Sequence, residues 1–277
     1  MGTATQVLLV GLLLLAAGLL LLAAGLPVQA ARVDASEHQA FWLWAGVTPQ
    51  PVLSQARTLY VLQGQIDGPR RAGDPPARMQ AQNPATPRLS KDIELWVVYR
   101  AHTLDWNDEV FALLLSQLQR WQGAGNRVTG VQIDFDAQTL RLDRYAAFLE
   151  DLRQRLPQQY RLSITGLLDW AGNADPAALN RLAEVVDEVV MQTYQGRHSI
   201  PGYQRYLPSI ARLQLPFRIG LIQNGEWQAP DYLQSSPWFR GYVVFLLNPS
   251  EPATDTPAVR RRSPSTEHGK TRSDNEF

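Results

Sequence analysis

Gly130-Val131-Gln132-Ile133-Asp134-Phe135-Asp136 is the stretch that decides how this chain is read. Alternation along an extended strand sends Gln132, Asp134 and Asp136 to one face and Val131, Ile133 and Phe135 to the other. The apolar face needs a cover, and three polar groups in a row carry a desolvation cost unless each finds a partner. Two carboxylates at the carboxyl end of such a strand mark a site. The structural alternative is that Asp136 caps the next helix and Asp134 is a hydrogen-bonded carboxylate of the core.

Working outward, strand-like apolar runs occupy Phe41–Val47, Thr58–Ile66, Ile93–Ala101, Val128–Asp136, Arg161–Leu168, Glu188–Tyr194, Phe217–Ile222 and Gly241–Leu247. Helical patterns lie between the later runs. Phe111, Leu114, Leu118 and Trp121 share one face before the acidic strand, and Leu142, Tyr145, Leu149, Leu152 and Leu156 share one face after it. Asp175-Pro176 reads as an N-cap and first-turn proline, opening a short helix through Leu179 and Leu182. Strand and helix in alternation imply parallel strands joined by right-handed crossovers. Eight such strands predict an α/β fold, a single (β/α)8 TIM-type barrel with its site at the carboxyl ends of the strands. An open doubly wound sheet is the alternative, but no glycine-rich phosphate turn follows the first strand.

Both ends differ in composition. Val7–Leu26 carries no charge and runs into Pro27-Val28-Gln29-Ala30-Ala31, so residues 1–30 read as a signal peptide removed after Ala30. No Lys or Arg precedes that run and its length reaches that of a bilayer span, which makes an uncleaved anchor the alternative. Either way the remainder is expected in the periplasm or secreted, or anchored to the inner membrane, with a membrane contact only if the leader is retained. Residues 31–249 form the expected barrel, and residues 250–277, rich in Pro, Ser, Thr and charge, read as a disordered tail. Gly68–Ser90, with five prolines, reads as a long exposed loop.

Composition narrows the chemistry. The 277 residues are 45% hydrophobic and 19% charged, and 26 basic side chains balance 26 acidic ones, so no field recruits nucleic acid. The absence of cysteine excludes disulfides and thiol catalysis. His38, His102, His198 and His268 have no metal-ligand spacing, and neither a metal nor a cofactor is expected.

The strand ends supply candidates. Trp44 closes the first run, Arg100 and His102 the third, Asp134 and Asp136 the fourth, Asp169 and Trp170 the fifth, and Gln192 and Tyr194 the sixth; Asn224, Glu226 and Trp227 follow the seventh, and Asn248 the eighth. Aromatics beside carboxylates and amides suit a sugar ring, which offers an apolar face for stacking and hydroxyls for polar partners. The partner so predicted is an oligo- or polysaccharide. For each aromatic the structural alternative is packing in the core or at its rim.

Gly130–Asp136 resembles the fourth-strand signature D-G-x-D-x-D-x-E of family 18 chitinase-like glycosidases, and Val189-Val190-Met191-Gln192-Thr193-Tyr194 resembles their sixth-strand Met-x-Tyr region. The whole chain resembles an uncharacterised family of secreted bacterial proteins, a domain of unknown function placed among glycosidase-like barrels. The resemblance implies a carbohydrate-handling site. Gln132 and Asp134 stand where the glycosidases carry aspartates, and Asp136 stands where they carry the glutamate that donates a proton.

Glycosidic hydrolysis needs an acid for the leaving oxygen and a group to attack or stabilise the anomeric carbon. Asp136 is the expected acid. Asp134 is expected to hold a proton nearby by like-charge interaction, with Gln132 orienting the pair. The second role falls to a substrate acetamido group supported by Tyr194, or to a carboxylate such as Asp169 or Glu226. A barrel that binds glycans through its aromatics, without cleaving them, is the rival function.

Overall fold

The computed structural model describes residues 30–44, 46–71, 73–82, 85–137, 139, 142–174 and 176–248. The predicted leader, tail and Asp175 N-cap lie outside the described residues. Among the described residues no helix is long and apolar enough to cross a membrane.

Eight parallel strands close into a barrel: β1 (Ala40–Leu43), β2 (Thr58–Asp67), β3 (Glu94–Ala101), β4 (Val128–Asp134), β5 (Arg161–Leu167), β6 (Glu188–Gln192), β7 (Phe217–Ile222) and β8 (Phe239–Phe245). Each pairs with its neighbours in chain order, and β8 returns to β1 through Val244 opposite Phe41 and Phe245 opposite Trp42. Closure leaves no edge within this ring, as the alternation of strand and helix predicts.

Helices α1 (Asp108–Gly123), α2 (Leu142–Arg155) and α3 (Pro176–Val185) follow β3, β4 and β5. The apolar faces expected of α1 and α2 are buried, from Phe111 to Trp121 and from Leu142 to Leu152. They cover the outward residues of the strands, Val97, Ile133 and Ile164 among them. Burying each such aliphatic side chain is worth about 1.5–3 kcal/mol. Asn107 caps α1, its Oδ1 accepting from the Val110 N–H at 3.0 Å, a contact worth about 1 kcal/mol. Elsewhere among the described residues the crossovers are short: 3-10 turns at Pro51–Gln55, Tyr203–Arg205 and Asp231–Leu233 and a four-residue helix at Leu207–Ile210.

A second, smaller core fills the barrel itself with Trp42, Tyr60, Leu62, Trp96, Val98 and Val190 among its members. Tyr60 and Trp96 stack at 5.8 Å between ring centres. Gly220 makes room for Trp42, since a Cβ there would stand 2.9 Å from the indole Cζ3. A Cβ at Gly130 would run into the Arg161 carbonyl oxygen on the adjacent strand, which accounts for the glycine that opens the decisive stretch.

The proline-rich span after β2 departs from the expected loop. Arg78–Ala81 forms an antiparallel strand on the upper half of β2, with Met79 opposite Ile66 and Arg78 opposite Asp67. The prolines flank this strand without entering it, so they do not break its pairing.

Candidate active site at the carboxyl end of the barrel

On β4 the expected alternation holds. Gln132 and Asp134 point into the barrel while Ile133 packs outward beneath α2. Gln132 is fully buried: its Oε1 accepts from Trp42 Nε1 at 2.6 Å and its Nε2 donates to Ser163 Oγ at 3.0 Å. Those bonds satisfy it within the core, so it lies beneath the site and cannot meet a ligand directly.

Asp134 is 1% exposed, and a carboxylate at that depth requires partners. Arg100 Nη1 donates to Oδ2 at 2.7 Å and Thr165 Oγ1 donates to Oδ1 at 2.9 Å. Burial still wins, raising the Asp134 carboxyl above its ordinary range against the pull of Arg100 and Thr165. The other arm of the guanidinium, Nη2, lies 2.5 Å from Oδ2 of Asp136, whose side chain is 55% exposed. Burial opposes the charge of Arg100, but Asp134 and then Asp136 more than offset it and raise its pKa. One arginine is thus the counter-ion of both carboxylates.

Tyr194, just past the end of β6, feels the charges of this cluster. Burial, and then the nearby Asp134 charge, push its phenol well above the usual value, so it serves as a neutral hydrogen-bond group, with Gln192 as its side-chain partner. Its ring is 5.5 Å from Phe245, and Phe245 is 5.3 Å from Trp44. These three partly buried rings crown the inner core.

A β-bulge adds members that alternation conceals. Between Leu62 and Gly64 the register of β2 against β3 shifts, so that Gly64 faces Tyr99, Gln65 faces Arg100 and Ile66 faces Ala101. Gln63 turns outward and accepts from Trp121 Nε1 of α1 at 2.6 Å. The extra residue switches the parity of the strand and turns Gln65 and Asp67 toward the mouth. Asp67 Oδ1 lies 2.7 Å from His102 Nδ1, and Gln65 Nε2 donates to the same carboxylate at 3.0 Å. Burial works to raise Asp67, but the hydrogen bonds from His102 and Gln65 carry its pKa below the ordinary value. A cleft of about 280 Å3 opens beside these groups, with His102, Asp105, Phe135, Asp136 and Arg144 in its walls. Strict alternation from Tyr60 places Ile66, not Asp67, on the inner face, whereas after the shift Ile66 packs in the outer core.

Other strand-end candidates are placed elsewhere. Trp170 is buried in the outer core, its Nε1 donating to the Ala137 carbonyl at 3.0 Å and its ring edge-on to Tyr145. Trp227 is also in the outer core, stacked on Tyr203 at 5.0 Å. Both indoles are buried on the helices' side, away from the Arg100 cluster, because each follows its strand by several residues and folds back over the outer core. Asp169 accepts from the Thr139 hydroxyl, a contact between the β5 and β4 loops. Asn224 takes a left-handed turn at φ 63°, and Glu226 lies in a two-residue strand opposite Arg32. No hydrogen bond or ion pair among the described residues joins Asp169, Asn224 or Glu226 to the Arg100 cluster. Among the described residues there is no group of three or more His, Asp or Glu side chains that could hold a metal.

No curated protein matches the chain. Solved structures are similar to it at low identity. The spore cortex-lytic enzyme SleL of Bacillus cereus is 16% identical with a TM-score of 0.45, over 72% of this chain and 52% of the other, so this chain spans about half the length of SleL. The xylanase and alpha-amylase inhibitor protein XAIP-II of Scadoxus multiflorus is 9% identical with a TM-score of 0.49, over 75% and 92%. The chitinase domain of the spore coat protein CotE of Clostridium difficile is 12% identical with a TM-score of 0.46, over 72% and 67%. Residues 101–203, from the end of β3 to the turn after Tyr194, match the family described as a domain of unknown function, DUF3142.

Proposed function

We propose that this protein is an exported carbohydrate-active barrel that hydrolyses glycosidic bonds of an envelope or extracellular polysaccharide, with Asp136 as proton donor. The observation that carries this reading is the sharing of Arg100 by a buried and an exposed carboxylate at the barrel mouth. Two carboxylates and one guanidinium hold one net negative charge, so a single proton neutralises the cluster. Burial favours the neutral form of Asp134, and Asp136, the other carboxylate on Arg100, is the member that reaches the cleft and takes its proton from solvent there. A sugar oxygen there would draw the proton from Asp136 as its bond to the anomeric carbon breaks. In this reading Tyr194, a neutral phenol near the Asp134 charge, supports the substrate, and Trp44 and Phe245 offer it rings. Export rests on the apolar run Val7–Leu26 and the small residues that follow it, and N-terminal sequencing of the mature protein tests it.

Release of reducing ends from a panel of envelope polysaccharides, acetylated amino sugars included, tests the activity. Asp136→Asn is expected to abolish turnover with glycan affinity nearly intact, because the amide keeps shape but supplies no proton. Equal activity in the wild type and Asp136→Asn overturns the assignment. The 2.5 Å contact between Arg100 and Asp136 favours a second reading, a glycan-binding barrel in which that pair is a fixed polar contact. Binding across the panel without any cleavage selects it.

A further inference from the structure

We infer that His102, oriented by Asp67, is the general base of the same cleft, taking a proton from the water that attacks the anomeric carbon. The inference rests on hydrolysis at Asp136 and adds the group that reading lacks. Of the carboxylates that sequence offers for the second role, Asp169 accepts from the Thr139 hydroxyl and Glu226 lies on the short strand opposite Arg32, and neither lines this cleft. His102 and Asp136 line one cleft.

The placement follows from register. Arg100 and Asp134 are partners across β3 and β4, and Ile66 and Ala101 are partners across β2 and β3. The His102 N–H continues the ladder to the Ile66 carbonyl at 2.8 Å. Side chains one strand repeat further along, Asp67, His102 and Asp136, therefore form a second polar row above Gln65, Arg100 and Asp134. In the lower row Arg100 pairs with Asp134, and its other arm reaches Asp136 above. The upper row holds a histidine whose Nδ1 is engaged by a carboxylate and whose Nε2 takes no part in that bond.

A carboxylate on Nδ1 fixes the tautomer and ring orientation and stabilises the imidazolium that forms when Nε2 accepts a proton. Asp67 is suited to this because its own charge is held by Gln65 and by Arg70 at 3.7 Å. Other charged groups around His102 are Arg100 and Asp136 from β3 and β4, and the Asp105–Arg144 pair, 2.8 Å apart, in the cleft wall. In the step, a water O–H bond breaks and its proton passes to His102 Nε2. The water oxygen bonds to the anomeric carbon as the glycosidic C–O bond breaks, and Asp136 gives its proton to the leaving oxygen. One water is consumed, and the two side chains exchange protons with solvent to reset. A base and an acid acting on opposite sides of the sugar, with a water between, produce inversion.

Proton NMR of the first-formed anomer during wild-type turnover is the direct test, and inversion is expected. His102→Ala should lower kcat by about 100-fold or more, with glycan affinity changed less than about twofold, and added imidazole should restore part of the rate. His102→Gln, which keeps a hydrogen bond to Asp67, should lose activity to a similar degree and also the acidic limb of the pH–rate profile. A retained anomer, an unchanged His102→Gln profile, or absence of imidazole rescue in folded His102→Ala overturns the base assignment and leaves hydrolysis at Asp136 standing. Absence of wild-type turnover across the panel overturns both.

Discussion

Arg218 Nε lies 2.7 Å from Glu188 Oε2 inside the amino-terminal end of the barrel, far along the strands from the acidic mouth. Tyr60 donates to the other glutamate oxygen at 2.6 Å, and Ser163 Oγ approaches it at 3.2 Å. Ser163 in turn meets Gln132, and Gln132 meets Trp42, so a continuous polar chain threads the small inner core. Its members satisfy one another, which is the condition for burying them at tolerable cost.

Removing one end of that chain should therefore be expensive. Arg218→Met leaves Glu188 buried without its counter-ion, and a loss of about 3–5 kcal/mol is expected. For a chain of this size that lowers Tm on the order of 10 °C in a thermal melt. Changing both residues, Glu188→Gln with Arg218→Met, should recover part of the loss. Because the pair sits at the opposite end from the cleft, glycan affinity of the folded variant should match wild type.

Gln132→Leu separates core from site at the middle of the same chain. The leucine leaves Trp42 Nε1 and Ser163 Oγ without that partner, costing about 1–3 kcal/mol in a urea titration. Glycan affinity should stay within about twofold, since Gln132 is fully buried. A selective loss of affinity at unchanged stability would return Gln132 to the binding surface.

Much of this was legible in the sequence, and the reasons it stops are physical. Eight apolar runs in alternation with helices lead to the barrel, because strand and helix periods differ and each demands a cover. Alternation on Gly130–Asp136 leads to a buried Asp134 with an exposed Asp136 beyond it. Arg100 was a candidate by its place at a strand end, but its bridging of both carboxylates depends on register between β3 and β4, which local patterns do not carry. Alternation does not reveal Asp67 because a bulge reverses parity, and it does not say on which side Trp170 and Trp227 lie because a residue just past a strand end can fold inward over the mouth or outward over the helices, as these two do. The strand at Arg78–Ala81 was hidden by the prolines around it.

Stability should carry the signature of Asp134 in its pH dependence. Its folded pKa is raised above the ordinary 3.8, so the folded state binds a proton that the unfolded chain has already released. By linkage the contribution of this group is most favourable below the ordinary value and declines as pH rises through the raised one. Asp67 runs the other way: its lowered pKa gives stability present above the ordinary value and lost as pH falls through the lowered one. Asp134→Asn removes the first effect and leaves the second. The stability of Asp134→Asn relative to wild type, from urea titrations, should thus rise as pH increases above the ordinary carboxylate value. A flat or falling difference would mean that Arg100 and Thr165 outweigh burial.

Aromatic substitutions distinguish a binding platform from packing. Trp44 is partly buried at the mouth and leans on Phe245, whereas Trp227 is stacked on Tyr203 in the outer core. A sugar stacking on Trp44 gains contact that alanine cannot supply, so Trp44→Ala should weaken glycan binding by about 10-fold while lowering stability by no more than about 1–2 kcal/mol. Trp227→Ala opens a cavity among Tyr203, Tyr242 and their neighbours, and a loss of about 3–5 kcal/mol is expected with affinity unchanged in the protein that stays folded. Isothermal titration with the tightest glycan of the panel, run beside thermal melts of both variants, reads the two effects separately. Equal affinity losses for Trp44→Ala and Trp227→Ala, once folded fractions are matched, would place the ligand away from the ring formed by Trp44, Tyr194 and Phe245.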